Sequence, residues 1–157
     1  LVKQTCGEFD DKLKEKCLEM IVSLPPEPVY IEADPRRIWR VVENLFSNVC
    51  KYALEGTRVY LEIRRVRQDD REIAVFTMKN ISAQALNIRA EELTERFIRG
   101  DISRSTEGSG LGLSIAQNLT TLQKGTFEIY LDGDLFKVQI GFSCLDVPQP
   151  EIEIQMR

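Results

Sequence analysis

The stretch from Asp34 to Ala53 constrains the fold of this 157-residue chain more than any other part of it. Asp34 followed by Pro35 is a strong helix start, because an aspartate can cap free backbone N–H groups and proline sits comfortably in a first turn. Beyond it, Ile38, Val41, Val42, Leu45, Phe46, Val49 and Tyr52 recur at helical spacing and share one broad face. A helix this one-sided must be laid against a second layer, so the remaining sequence has to supply one.

It supplies strands. Residues 57 to 66 (TRVYLEIRRV) alternate, a charged turn follows at Gln68 to Arg71, and Glu72 to Lys79 reads as the returning strand. Phe127 to Leu131 and Leu135 to Phe142 flank Asp132 and Gly133, a hairpin signal. Gly56 is read as ending the long helix. Leu111 to Leu122 resumes helical spacing, with Lys124 and Gly125 as its stop. Upstream, residues 5 to 15 read as a short polar helix and residues 16 to 23 as a strand or a helix end. Pro25, Pro26 and Pro28 then break any helix, and Val29 to Ile31 is expected as a short strand. Residues 89 to 98 suggest another short helix, and residues 99 to 110, rich in Gly, Ser and charge, a mobile loop. The expected fold class is α+β: a two-layer sandwich whose mixed, mostly antiparallel sheet is covered on one face by helices. The expected organisation is a linker remnant and first elements over 1–27, one domain over 28–147, and a tail over 148–157.

Composition removes several functional classes. The chain has no histidine, which excludes Ser-His-Asp triads, Cys-His dyads and most zinc hydrolases. A net charge of -4 argues against a general nucleic-acid binder, which needs a basic field. Cys6, Cys17, Cys50 and Cys144 form no C-x-x-C pair and read as reduced, structural thiols. No apolar run approaches the roughly 20 residues that span a bilayer, so no membrane contact is expected of this piece.

Two local features invite chemistry. Asn44, Asn48 and Lys51 stand at i, i+4 and i+7, a narrow polar band at the edge of the apolar face, where a cleft can form. Asparagine is a poor interior helix residue, and its amide oxygen is a hard, neutral ligand suited to magnesium. Surface asparagines making local hydrogen bonds are the alternative. The second feature is the run Gly108, Ser109, Gly110, Leu111, Gly112, Leu113, immediately before a helix. Such a run can turn backbone N–H groups toward phosphate oxygens, but it matches neither a Walker A loop nor a dinucleotide fingerprint. An ordinary flexible loop is the alternative here.

Taken together, roughly residues 28 to 143 resemble the ATP-binding domain of sensor histidine kinases, within the superfamily of gyrase, Hsp90 and MutL ATPases that share the Bergerat fold. The resemblance rests on an N box from Arg40 to Tyr52, an F box from Glu95 to Asp101, and a G2 box with Gly108, Gly110 and Gly112. It implies that Asn48 is a magnesium ligand, that Asn44 lies in the phosphate and metal site, and that Lys51 faces the phosphates. It places Tyr52 beside the nucleotide, Phe97 and Arg99 at the base of an ATP lid, and Gly108 to Leu113 at the lid's hinge. The G1 box departs from the family's D-x-G-x-G: the chain reads Lys79-Asn80-Ile81-Ser82-Ala83, with Asn80 at the adenine-binding position and neither glycine. Asn80 can accept from the adenine amino group through Oδ1, without an aspartate's charge. Rotation of the amide would instead offer its NH₂ to guanine, and Asn80→Asp is expected to sharpen discrimination.

The implied activity is transfer of the γ-phosphoryl group of ATP, with Mg²⁺, to a histidine on a separate dimerisation domain, and indirectly to a response regulator. The location implied is cytoplasmic, in a membrane-anchored sensor. A nucleotide-binding regulatory module that has lost catalysis is the competing reading. A serine-protein kinase or ATPase of the same superfamily is a third.

Overall fold

The computed structural model describes residues 1–86 and 112–146. The expected helix at 89–98, the loop at 99–110 and the tail from Pro148 lie outside these residues. The elements in chain order are α1 (Val2–Glu15), β1 (Glu19–Ser23), α2 (Pro35–Tyr52), β2 (Arg58–Gln68), β3 (Arg71–Ile81), α3 (Gly112–Leu122), β4 (Thr126–Asp132) and β5 (Leu135–Ser143).

Helix α2 starts where the Asp34–Pro35 signal puts it, with the Asp34 carboxylate accepting from Arg36 N at 2.9 Å and Arg37 N at 3.1 Å. Its apolar face is the centre of the core: Val41, Val42, Leu45, Phe46 and Val49 are all buried. The helix stops at Tyr52, short of the expected Gly56. Ala53 takes extended backbone and bridges Ser82, and Leu54 N donates to Ile81 O at 2.8 Å, so a strand-like contact captures the chain first. Gly56, at φ 74°, instead turns the chain into β2.

The sheet order is β1-β2-β3-β5-β4. Strands β2 and β3 form the first expected hairpin, in register from Tyr60↔Lys79 to Gln68↔Arg71. Asp69 and Asp70 both take positive φ (48° and 62°), as a two-residue turn matched to sheet twist requires. Strands β4 and β5 form the second, turning at Gly133 (φ 58°), and β5 lies antiparallel to β3. Strand β1 pairs in parallel with β2, which α2 makes possible by acting as the crossover between them. This resolves residues 16 to 23 as a strand.

Two expectations need correction. Helix α1 begins at Val2 and is more than polar: Thr5, Phe9 and Leu13 are spaced at i, i+4, i+8 and buried, with the Phe9 ring 5.4 Å from that of Phe46. Val29 to Ile31 is not a strand. Ile31 makes one isolated bridge to Cys144 and Leu145 N donates to Tyr30 O at 2.8 Å, and the preceding prolines have no N–H with which to extend a ladder.

Helix α3 packs chiefly on α2. Its stop uses the expected residues in exchanged roles. Lys124 takes the left-handed conformation (φ 65°), while Gly125 is needed for space, since a Cβ there would meet Phe142 Cζ at 2.7 Å and Thr120 Cγ2 at 2.9 Å. All four cysteines are free, and burial pushes the thiol pKa of Cys6, Cys50 and Cys144 up. No helix among the described residues is long and apolar enough to cross a membrane.

Because Phe9 is buried against Phe46, Phe9→Ala should cost about 3–5 kcal/mol of unfolding free energy, the usual loss for a core aromatic. Chemical denaturation measures it. A loss below about 1 kcal/mol, far under the core range, would mean that α1 is only loosely docked.

Candidate functional site

The polar band on α2 climbs from interior to solvent. Asn44 and Asn48 are half-buried, and Lys51 is exposed one turn further on. At the inner end, α3 begins with Gly112 against Asn44: a Cβ added at Gly112 would lie 3.6 Å from Asn44 Oδ1 and 4.0 Å from its Cβ and Cγ. Among the described residues only Asn44 comes within 4 Å of that added Cβ, so the missing side chain at residue 112 leaves room beside the Asn44 carboxamide. Leu113 is 2% exposed and belongs to the core, so only its backbone can reach a ligand. Tyr52, half-buried, uses its carbonyl to accept from Ala83 N at 2.8 Å.

Asn80 approaches from the sheet. It sits near the end of β3, on the helix-facing side with Met78, and is 3% exposed. Its Nδ2 donates to Ile81 O at 3.3 Å, and that carbonyl also accepts from Leu54 N at 2.8 Å. The amide orientation follows, because a rotated amide would set Oδ1 against a carbonyl oxygen that can only accept. Rotation toward guanine, open from the sequence, is therefore opposed by the backbone. Although this segment lacks the G1 glycines, it is well anchored: Ser82 N donates to Asp134 O at 2.7 Å and Ala83 N to Tyr52 O. The first contact ties the end of β3 to the turn between β4 and β5, and the second ties it to the end of α2 that carries Asn48 and Lys51.

Among the described residues, the buried side-chain polar atoms without a partner are Asn44 Nδ2 and Asn80 Oδ1. Leaving a buried donor or acceptor unpaired typically costs about 1–3 kcal/mol, and such exceptions call for an explanation. One is a donor on the helix layer and the other an acceptor on the sheet layer. The same residues were singled out by sequence, one from the polar band and one from the altered G1 box. No group of three or more His, Cys, Asp or Glu is placed to hold a metal among the described residues. The side-chain oxygens of Asn44 and Asn48 are neutral amide oxygens.

A family profile described as histidine kinase-, DNA gyrase B-, and HSP90-like ATPase matches residues 33–144. The chain belongs to this ATPase family. It is 32% identical over 114 residues to the sensor histidine kinase WalK of Bacillus subtilis, covering 71% of this chain and 18% of that protein. It is 29% identical over 145 residues to the sensor histidine kinase RppB of Synechocystis, covering 89% of this chain and 31% of that one. The chain thus spans less than a third of either relative. In fold it is similar to the catalytic domain of the histidine kinase ThkA, with a TM-score of 0.70 at 20% identity, covering 90% of this chain and 89% of that one.

In this ATPase-family domain, two structural contacts escaped the sequence reading. Lys16 Nζ donates to Lys51 O at 3.2 Å, holding the last turn of α2, and Asp34 N donates to Gln123 Oε1 at 2.8 Å. The partners are 35 and 89 residues apart, so no local pattern joins them. Phe97, Arg99, Gly108, Ser109, Gly110 and Leu111 lie outside the described residues.

Two substitutions probe this geometry. Gly112→Ala meets only ordinary contacts and adds a better helix former, so thermal stability should hold or rise, while ATP affinity falls several-fold as the methyl fills the space beside Asn44. Paired melting and calorimetry would read both, and unchanged affinity would show that nothing binds beside the Asn44 carboxamide. Asn80→Ala should lower ATP affinity by about 1–2 kcal/mol and bring the ATP-to-GTP ratio toward one. Asn80→Asp strengthens the acceptor but sets a carboxylate oxygen against Ile81 O, so the free protein should melt below the parent. An unaltered ratio in both Asn80 variants would place base recognition elsewhere.

Proposed function

We propose that this domain holds ATP and magnesium along the polar edge of α2 and passes the γ-phosphoryl group to a histidine nitrogen on a separate dimerisation domain. The single observation that carries the reading is the pair of buried, unpartnered groups, the Asn44 donor and the Asn80 acceptor, on two facing layers of an ATPase-family fold. Asn80 Oδ1 accepts from the adenine amino group, which selects adenine over guanine because guanine presents a carbonyl there. Asn44 Nδ2 donates toward a phosphate oxygen beside Gly112. The amide oxygen of Asn48 is the metal ligand, and the exposed Lys51 ammonium lies toward the phosphate tail. Tyr52 packs by the nucleotide, and the family resemblance assigns Phe97 and Arg99 to the base of a lid and Gly108 to Leu113 to its hinge. Magnesium, when bound, neutralises phosphate charge.

The chemistry asks little else of this chain. A neutral imidazole nitrogen carries its own lone pair: the N–P bond forms as the bond from the γ-phosphorus to the bridging oxygen breaks, and ADP leaves with that electron pair. The ring then sheds its remaining N–H proton to solvent. No general base is required, so the residues here act by positioning and by offsetting charge. The chain has no histidine, and the acceptor therefore lies on another segment or protein. A response regulator receives the group afterwards, and the whole protein is a membrane-anchored sensor with this domain in the cytoplasm.

A second reading is favoured by the G1 segment. Asn80 is neutral and both glycines are absent, which suits a regulatory module that binds nucleotide without transferring phosphate.

One experiment separates the two. With γ-labelled ATP and magnesium, this domain should label the intact protein's histidine-bearing helix supplied in trans, slowly, with acid-labile and base-stable chemistry. Asn48→Ala should abolish labelling and weaken ATP binding at least tenfold, about 1.4 kcal/mol, only when magnesium is present. Tight magnesium-ATP binding with no labelling of the helix would leave the regulatory module as the function. Equal affinity of Asn48→Ala at saturating magnesium would remove Asn48 as the ligand.

A further inference from the structure

Helix α3 lies antiparallel on α2, and its two ends meet that helix differently. Its first residue, Gly112, lies against Asn44, whose Nδ2 is buried and unpartnered. Just beyond its last turn, Gln123 spans both helices: Oε1 accepts from Asp34 N at 2.8 Å, and Nε2 donates to Leu119 O at 2.8 Å. Both partners are backbone groups that helix geometry leaves short. Asp34 is the cap residue of α2, so its own N–H lies outside that helix's ladder. The main-chain N–H of Gln123 turns to Thr120 O at 3.1 Å, so the side chain replaces the donor that Leu119 O would otherwise have had.

Between these ends α3 buries Leu113, Ser114, Ala116 and Thr120, with Leu119 partly buried against the core. Only Leu113 and Leu119 are large among these, so hydrogen bonds at the ends of α3 add to side-chain packing in setting its axial offset on α2. We infer that Gln123 is a positioning residue for the nucleotide: it sets the axial register of α3 on α2, and so the place of Gly112 beside Asn44. This rests on the ATP reading above. A helix of this length transmits a slide undiminished from one end to the other, and hydrogen-bonded contacts to phosphate weaken steeply with sub-ångström displacement.

The test is nuclear magnetic resonance on the whole domain, titrated with magnesium-ATP and separately with adenosine. Gln123→Leu removes both hydrogen bonds at similar volume, and Gln123→Glu retains the acceptor for Asp34 N. In Gln123→Leu, ATP affinity should fall about 5–20-fold, within the range that a small misplacement costs, with adenosine affinity unchanged within about twofold. Nuclear Overhauser contacts between the Asn44 carboxamide and Gly112 should weaken in the same variant. Gln123→Glu should recover most of the lost ATP affinity and those contacts. Equal losses for ATP and adenosine would reduce Gln123 to a general stabiliser and overturn the inference, as would unchanged ATP affinity in a folded Gln123→Leu. Were Gln123→Leu not to fold, Gln123→Glu against Gln123→Met would carry the same comparison. Should the parent bind no ATP, the ATP reading fails by itself, and the Asn44–Gly112 contacts in the variants still decide whether Gln123 sets the register.

Discussion

Burial of one face of α2 is the interaction on which the rest of this structure depends. Val41, Leu45, Phe46 and Val49 are at most 2% exposed, and the surrounding elements are arranged to keep them so. Strands β2 and β5 supply Val59, Leu61, Val138 and Ile140 to the same core, α1 adds Phe9 and Leu13, and α3 closes one side with Leu113 and Ala116. At about 25 cal/mol for each Å² of apolar surface removed from water, a layer of this kind is the main source of stability in a domain of this size. It also decides what is left over. Once the apolar face is committed to the sheet, the polar edge carrying Asn44, Asn48 and Lys51 is held at the boundary of the core, with Asn44 against the first residue of α3.

That boundary position bears on how two neutral amides would serve the anionic ligand proposed for this site. Asn80 is held by its bond to Ile81 O, so its free Oδ1 is set before any ligand arrives. Groups fixed in this way need no reorganisation on binding, which makes each contact worth more than it would be on a mobile surface. The cost is one donor and one acceptor left unpaired by the protein's own groups among the described residues. Asparagine at position 80 further ties the acceptor to its own strand end through Ile81 O, a tie that aspartate lacks the hydrogen to make.

Much of this was legible from residue order. The Asp34–Pro35 start, the apolar spacing of α2, the two hairpins and the polar band all rest on local chemistry, where one turn of helix or one pair of strand residues carries the signal. The parts that failed to read were those whose partners are remote. Residues 16 to 23 were undecided because a parallel strand such as β1 has no hairpin turn to announce it. Helix α1 looked polar because three buried positions in fourteen are too few to mark a face. Gly56 looked like a helix stop, yet the bond from Leu54 N to Ile81 O ended the helix earlier.

By itself, the sequence determined the class of fold and the family, and it named residues for a candidate site, because periodicity, capping and motif spacing act over a few residues. Only the tertiary structure decided how those residues can act. The orientation of the Asn80 amide depends on a carbonyl that α2's end also engages, and the openness beside Asn44 depends on where α3 begins. The grip of Gln123 on Asp34 joins residues 89 positions apart. Each of these is a hydrogen bond or a contact between layers, fixed only once burial of the apolar face has brought the layers together.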